Sequence, residues 1–386
     1  MRILHTSDWH LGRNFGPASL ASDQESFVLW LLDVVRDERV DLVVIAGDLY
    51  DRAIPPAESV VLMRETLVQL RSASATVVAI AGNHDGAERV SAYDGLVDAA
   101  SVYLRGGYSR AGEVLKLEFA DGPLDVVALP YLDPILVPNE VPSDVGDERV
   151  RRSHQSVLSD ALMLARQRLS APRSIVIAHA FVTGGEVSES ERLLTVGGTG
   201  QVDISIFDGF SYVALGHLHR PQRVGSPTRR YSGTPLAYSF SEQHPKQVIL
   251  IDIDADGVCD VREINVPVGR WVATITGTMH ELLNEAVHES VTDHFIRAVV
   301  TDAGHVVDAK ANLRARFAHI IEVVLQPPLD ARGESASVAA TNRALLSPLD
   351  AAEAFWIDIT SAPASEPERA MLERVLNQAA TEAAAK

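Results

Sequence analysis

The sequence predicts an α/β fold whose strands end in residues able to bind metal, and three observations predict it. Five apolar runs pass from Val- and Ile-rich segments through a small residue into Asp, Asn or His: Arg2–His10 (RILHTSDWH), Asp41–Asp48 (DLVVIAGD), Thr76–Asp85 (TVVAIAGNHD), Ser174–His179 (SIVIAH) and Ser211–His219 (SYVALGHLH). Short β-branched runs that stop at small residues read as buried strands. Helical patterns separate the first three, giving the β-α-β-α-β order of a sheet covered by helices. Open α/β sheets place their sites at the C-terminal strand ends. The five runs therefore describe a metal site assembled along one edge of a sheet.

Taken in order, the first strand leads into a helix over Gln24–Arg39, with Phe27, Leu31, Val34 and Val35 on its apolar face and Ser22 and Asp23 as candidate caps. The second strand ends at Asp48; Pro55 and Pro56 mark a loop, and Ser59–Arg71 is the helix that returns the chain to the third strand. Tyr93–Tyr131 reads as short strands with glycine turns, and His154–Leu169 as a strongly amphipathic helix. The His179 and His217–His219 strands follow. Arg230–Pro267 reads as hairpin material folded around an Asp254–Gly257 turn.

The rhythm changes near Gly269. Trp271–Gly277, Phe295–Asp302 and Ile320–Leu325 read as strands, with Met279–His288 and Ala309–Ala318 as helices, a small α+β unit close to the minimum for an independent core. Gln326–Ala340 is a linker by its Pro, Gly and Ser content. A weakly apolar stretch, Leu346–Ile359, precedes the helix Glu368–Ala384, whose face carries Met371, Leu372, Val375 and Leu376. Such a helix docks on a partner or on its own body. The resulting division is 1–268, 269–326, a linker at 327–345, and 346–386.

Composition narrows the function classes. At 386 residues and 46% hydrophobic content the chain can bury a large core and form two or three domains. No run is long enough to span a bilayer, and the chain opens on a strand without a charged-then-apolar leader, so secretion is not expected. The one cysteine, Cys259, excludes an intramolecular disulfide and a cysteine zinc cluster; it reads as a small strand residue in a cytoplasmic protein. A formal charge of -18 opposes nucleic-acid binding by the chain alone, since phosphate contact needs Lys and Arg. A polyanionic substrate would need metals, a local basic patch or a partner subunit to offset that repulsion.

Asp8, His10, Asp48, Asn83, His179, His217 and His219 form a carboxylate, imidazole and amide set without thiolate. Such donors suit Mn²⁺, Fe²⁺ or Zn²⁺. Seven are too many for one ion and suit two ions that share Asp48, the arrangement of two-metal phosphoryl chemistry. Two other features carry less. VGGTG at 196–200 lacks the Gly-Lys-Ser/Thr of a phosphate loop, so any ATP control must come from another chain. Arg220, Arg223, Arg229 and Arg230 are equally consistent with DNA phosphate contacts and with a solvated loop. His5, His154, His244, His280, His288, His294, His305 and His319 read as packing or surface residues.

The set SDWH, GDLYDR, GNHD, His179 after a strand, and GHLH resembles the calcineurin-like metallophosphoesterase superfamily. HTSDWHLGRNF, GNHDG, ALGHLHRPQ and YSGTPLAYSF are similar in wording to its SbcD family of bacterial DNA double-strand-break repair nucleases, strongly over about residues 1–265. That resemblance implies a helix-covered β-sandwich core, a small α+β capping domain that contacts DNA, and a C-terminal partner-binding helix. It implies two Mn²⁺, one held by Asp8, His10, Asp48 and His219, the other by Asp48, Asn83, His179 and His217. His84 would be catalytic, facing the scissile phosphate without binding metal. Asp51 departs from the histidine of archaeal and eukaryotic relatives and, with Arg52, is read as a loop residue of secondary role. The implied activity is a 3′→5′ double-strand exonuclease and single-strand or hairpin endonuclease, working in the cytoplasm with a coiled-coil SbcC-type ATPase as a homodimer within a heterotetramer. A small-molecule or protein phosphoesterase of the same superfamily, and a DNA-end-binding scaffold without catalysis, are the alternatives.

Overall fold

A computed structural model of the chain describes residues 1–136, 152–191, 200–304, 306–328, 347–360 and 363–384. Most of the expected linker and most of the VGGTG segment fall outside these residues, as does His305. The chain divides into two compact units, Met1–Val272 and Ala273–Lys386.

The first unit is a β-sandwich of two six-stranded sheets. In the first sheet Arg2–Thr6, Leu42–Ile45, Thr76–Ile80 and Val102–Arg105 run parallel, and the antiparallel hairpin Gln247–Ile253/Cys259–Asn265 extends it beyond Arg2–Thr6. In the second, Gly122–Leu129, Ser174–His179, Tyr212–Gly216 and Ser226–Tyr231 run parallel, with Val114–Phe119 and Gln222–Val224 antiparallel at the edges. Strand residues of alternate direction explain the layering. Ile3, Val44 and Ile80 of one sheet and Val126, Ile175 and Ala214 of the other point inward into a shared core. The opposite faces pack under helices: Leu4, Val43 and Val77 beneath Ala21–Asp37 and Ala57–Ser72, and Val127, Val176 and Val213 beneath His154–Arg166. Both faces of both sheets are thus dry, which is why the strands read as continuous apolar runs.

Several sequence expectations are corrected here. The five ligand strands do not share one sheet edge; three lie in the first sheet and two in the second. Ser22 and Asp23 do not cap the first helix, which begins at Ala21 with Leu20 at its N-cap and no side-chain cap bond. Arg230 and Tyr231 belong to a parallel strand of the second sheet instead of a hairpin, because Ser226–Tyr231 pairs with Tyr212–Gly216. Arg229 and Arg230 are taken up by Asp208 and Glu263, and Arg220 reaches Glu186 Oε2 at 2.6 Å, so three of the four arginines are occupied by carboxylates. His5 is buried in its strand, its Nδ1 3.0 Å from Tyr212 Oη.

The second unit carries a three-stranded sheet, Val272–Gly277, Phe295–Val300 and Ile320–Leu325, the last two parallel. Ile275, Leu282, Ile296, Leu313 and Phe317 form its small core. Helices Pro348–Thr360 and Glu366–Ala384 follow, joined by an Arg369–Glu353 ion pair at 2.5 Å. Met371 and Val375 are exposed, and Leu372 and Leu376 half-buried. No helix among the described residues is long and apolar enough to cross a membrane.

Candidate metal centre

Each ligand strand delivers its side chains through a tight turn at its end. Asp8, His10, Asp48 and His217 all adopt positive φ, at 54°, 45°, 49° and 105°. Conformations of that kind cost about 1–3 kcal/mol each and persist where the surroundings enforce them, characteristically at functional sites. The backbone interlocks the turns: Asp8 N donates to Gly47 O, His10 N to Asp48 O, and Leu11 N to Leu49 O. Asp85 clamps two loops together, its carboxylate accepting from Leu49 N, Tyr50 N and Gly82 N.

All seven residues expected to ligate metal converge, together with His84. His10 Nε2 and His219 Nε2 face each other at 3.3 Å, with Asp8 grouped beside them. Asn83 Oδ1 lies 2.9 Å from His179 Nε2 and 3.1 Å from His217 Nδ1. Asp48 stands between these groups, Oδ2 at 3.6 Å from His10 Nε2 and at 3.6 Å from His179 Nε2. His84 packs on His10, with ring centroids 4.6 Å apart, and its Nδ1 lies 2.9 Å from the Asp51 carbonyl oxygen. Since that carbonyl can only accept, Nδ1 carries the proton and Nε2 is left open. Asp51 therefore acts on the site through its backbone, while its side chain takes Arg13 at 3.2 Å and lies 3.8 Å from His10 Nδ1.

Electrostatics follow from burial. Desolvation, reinforced by the neighbouring Asp48 charge, pushes the Asp8 carboxyl well above the usual carboxylate range. The same causes raise Asp85 to about 7. Burial lowers His179 to about 4 and holds His10 and His217 well below the imidazole range, so these rings are neutral nitrogen donors near pH 7. His10 Nδ1 is buried without a hydrogen-bond partner. Buried carboxylates pressed together among neutral imidazoles are costly without a cation between them. The donor set fits divalent transition ions of the Mn²⁺, Fe²⁺ or Zn²⁺ kind.

Sequence reasoning missed the outer partners. Ser190 Oγ approaches His219 Nδ1 at 2.5 Å, Glu242 lies behind it, and Glu191 Oε1 accepts from His219 N at 2.6 Å. Arg13 lies over the Tyr238 ring, 4.9 Å from its centroid. No local pattern marks Ser190; for Glu242 the one signal is Lys246 four residues on, which is its partner.

Residues 1–221 match the family model described as calcineurin-like phosphoesterase, more than half the chain. The chain belongs to the calcineurin-like phosphoesterases. The calcineurin-like chain is 29% identical over 325 residues to the SbcD component of the nuclease SbcCD from Staphylococcus epidermidis, covering 83% of its own length and 84% of that protein. Among solved structures it is similar to TT1561 of Thermus thermophilus, at 12% identity and TM-score 0.38, and to a dimetal phosphatase from Danio rerio, at 14% and 0.38; each match covers 69% of this chain and 98% of the other. The coarse chemistry of this calcineurin-like member is metal-dependent phosphoester hydrolysis.

Proposed function

We propose that this chain is a Mn²⁺-dependent DNA nuclease subunit, cutting phosphodiesters by two-metal hydrolysis. The observation that carries the reading is Asp48, whose Oδ2 sits 3.6 Å from an imidazole of each ligand group and so is placed to serve two ions at once. Asp8, His10, Asp48 and His219 would hold one ion, and Asp48, Asn83, His179 and His217 the other. Such ions supply positive charge to the phosphoryl oxygens and lower the pKa of attacking water. His84 holds its Nδ1 proton on the Asp51 carbonyl, which aims Nε2 at the substrate to stabilise developing charge or protonate the leaving oxygen. Similarity to the SbcD component of the nuclease SbcCD supports DNA as substrate, 3′→5′ exonuclease action on duplex ends, and endonuclease action on single strands and hairpins. It also supports an SbcC-type ATPase as partner, docked by the helix Glu366–Ala384, a capping role for residues 269–326, a homodimeric arrangement and a cytoplasmic setting. The partner answers the charge problem: a chain at -18 gains its hold on DNA from metals and a second subunit.

The test uses the full chain with its ATPase partner, Mn²⁺ and a blunt DNA duplex. Asp48→Ala should abolish cleavage. His84→Ala should keep Mn²⁺ and DNA binding while the rate falls about 10²–10⁴-fold. Cleavage that survives Asp48→Ala would overturn the two-metal reading. Hydrolysis of phosphopeptides or cyclic nucleotides with none of DNA would favour the small-substrate phosphoesterase, and full function in His84→Ala a scaffold.

A further inference from the structure

Behind His219 lies a buried polar chain that the hydrolytic chemistry does not itself require. Glu242 is fully enclosed. Its Oε2 accepts from Thr234 Oγ1 at 3.0 Å and from Lys246 Nζ, and Lys246 also donates to Thr234 Oγ1 at 2.7 Å. Its Oε1 accepts from the Ser190 hydroxyl and lies 3.4 Å from His219 Nδ1. Ser190 Oγ in turn is 2.5 Å from His219 Nδ1.

Proton counting makes this chain directional. An ionised carboxylate can only accept, and a serine hydroxyl has one proton to give. Burial alone would raise Glu242, but the Lys246 ammonium opposes that first and holds the carboxyl well below its usual range, so it is ionised. The Ser190 proton therefore goes to Glu242, and the serine oxygen is left to accept. Its remaining neighbour is His219 Nδ1, which must then carry hydrogen. With Nδ1 protonated, the neutral ring presents a bare Nε2 lone pair toward His10 Nε2 and the site.

We propose that Glu242 and Ser190 are positioning residues for the centre, a relay that fixes His219 in the Nδ1–H tautomer and so keeps Nε2 free to bind a cation. This rests on the metal-centre reading above. Carboxylate relays of this type raise ligand basicity, and their loss typically costs about 10–100-fold in metal affinity. Lys246 and Thr234 act one step further out, holding the carboxylate charged and in place.

Titration calorimetry of the full chain with Mn²⁺ tests the relay, paired with the visible absorption of the Co²⁺-loaded protein. Ser190→Ala should bind one Mn²⁺ about 10–100-fold more weakly, leave the second closer to wild type, and alter the Co²⁺ absorption bands. Ser190→Thr keeps the hydroxyl and should restore both. Ser190 is half-buried, so these exchanges avoid the folding risk of Glu242→Gln, which strands the Lys246 charge. Wild-type affinity and spectrum in folded Ser190→Ala would overturn the relay while leaving the metal centre standing. Failure of the wild-type chain to take up Mn²⁺ would overturn both.

Discussion

A β-carbon placed on Gly82 would lie 2.1 Å from Asp48 Oδ1 and 2.4 Å from the Asp48 nitrogen, far inside contact distance. On Gly47, whose φ of +92° already excludes most side chains, it would lie 2.2 Å from His179 Nδ1. The glycines before the ligands are therefore there because ligand-bearing turns from different strands press on one another. Gly82→Ala should push the Asp48 carboxylate from its seat between His10 and His179. We expect about 1–3 kcal/mol of destabilisation from the clash, with weakened Mn²⁺ uptake in calorimetry of the folded variant. Unchanged uptake would show that Asp48 need not sit where it does. The ligand types were legible in the sequence because each follows its strand within a few residues. Ser190 and Glu242 were not: they lie 29 and 23 positions from His219 and reach it only through the fold.

Among elements, the helices show how local and tertiary signals divide. The helix His154–Arg166 carries its own start signal, since Ser153 Oγ accepts from Ser156 N and the Ser156 side chain returns to Ser153 N, a reciprocal capping box. Removing it by Ser153→Ala should cost about 1 kcal/mol, visible as a drop of about 2–4 °C in Tm, with Mn²⁺ binding unaltered. A Tm unchanged by that substitution would mean the cap is redundant with packing. The helix Ala21–Asp37 lacks such a cap, and is held instead by Phe27, Leu31 and Val35 packed on the sheet. Amphipathic period predicted both helices, yet the expected cap at Ser22 and Asp23 failed because burial, not capping, decided where the first turn begins. The same contrast explains Ser226–Tyr231, whose polar residues SPTRRY look like a turn but pair in parallel with Tyr212–Gly216.

For the molecule as a whole, the two sheets of the first unit are clasped at the strand ends away from the ligands. Arg173 is buried and donates to Asp121, to Gly122 O and Pro123 O of one sheet's hairpin, and to Ile253 O and Asp254 O of the other's. Asp121 also receives the amino terminus. The Arg173 hydrogen bond, then the terminal ammonium, hold its carboxyl far below the usual range. A depressed carboxylate contributes stability that is full above its unfolded value of about 3.9 and fades as pH falls below it. Asp121→Asn should therefore lower Tm at pH 7 and approach wild type in strong acid, with the gain discounted for the partial exposure of Asp121. Denaturation curves at both pH values check this, and a deficit that persists undiminished into strong acid would contradict it.

By itself the sequence determined the donors, their order along the chain and the strand-end turns that carry them. Those features depend on neighbours in sequence: a two-residue side-chain period, small residues at turns, and apolar runs long enough for a strand. Only the tertiary structure decided that the strands divide between two sheets, that Asp48 lies between two groups of imidazoles, and that Glu242 and Ser190 stand behind His219. These are contacts between distant segments, set by sheet pairing and by the packing of two apolar faces, which no local pattern encodes.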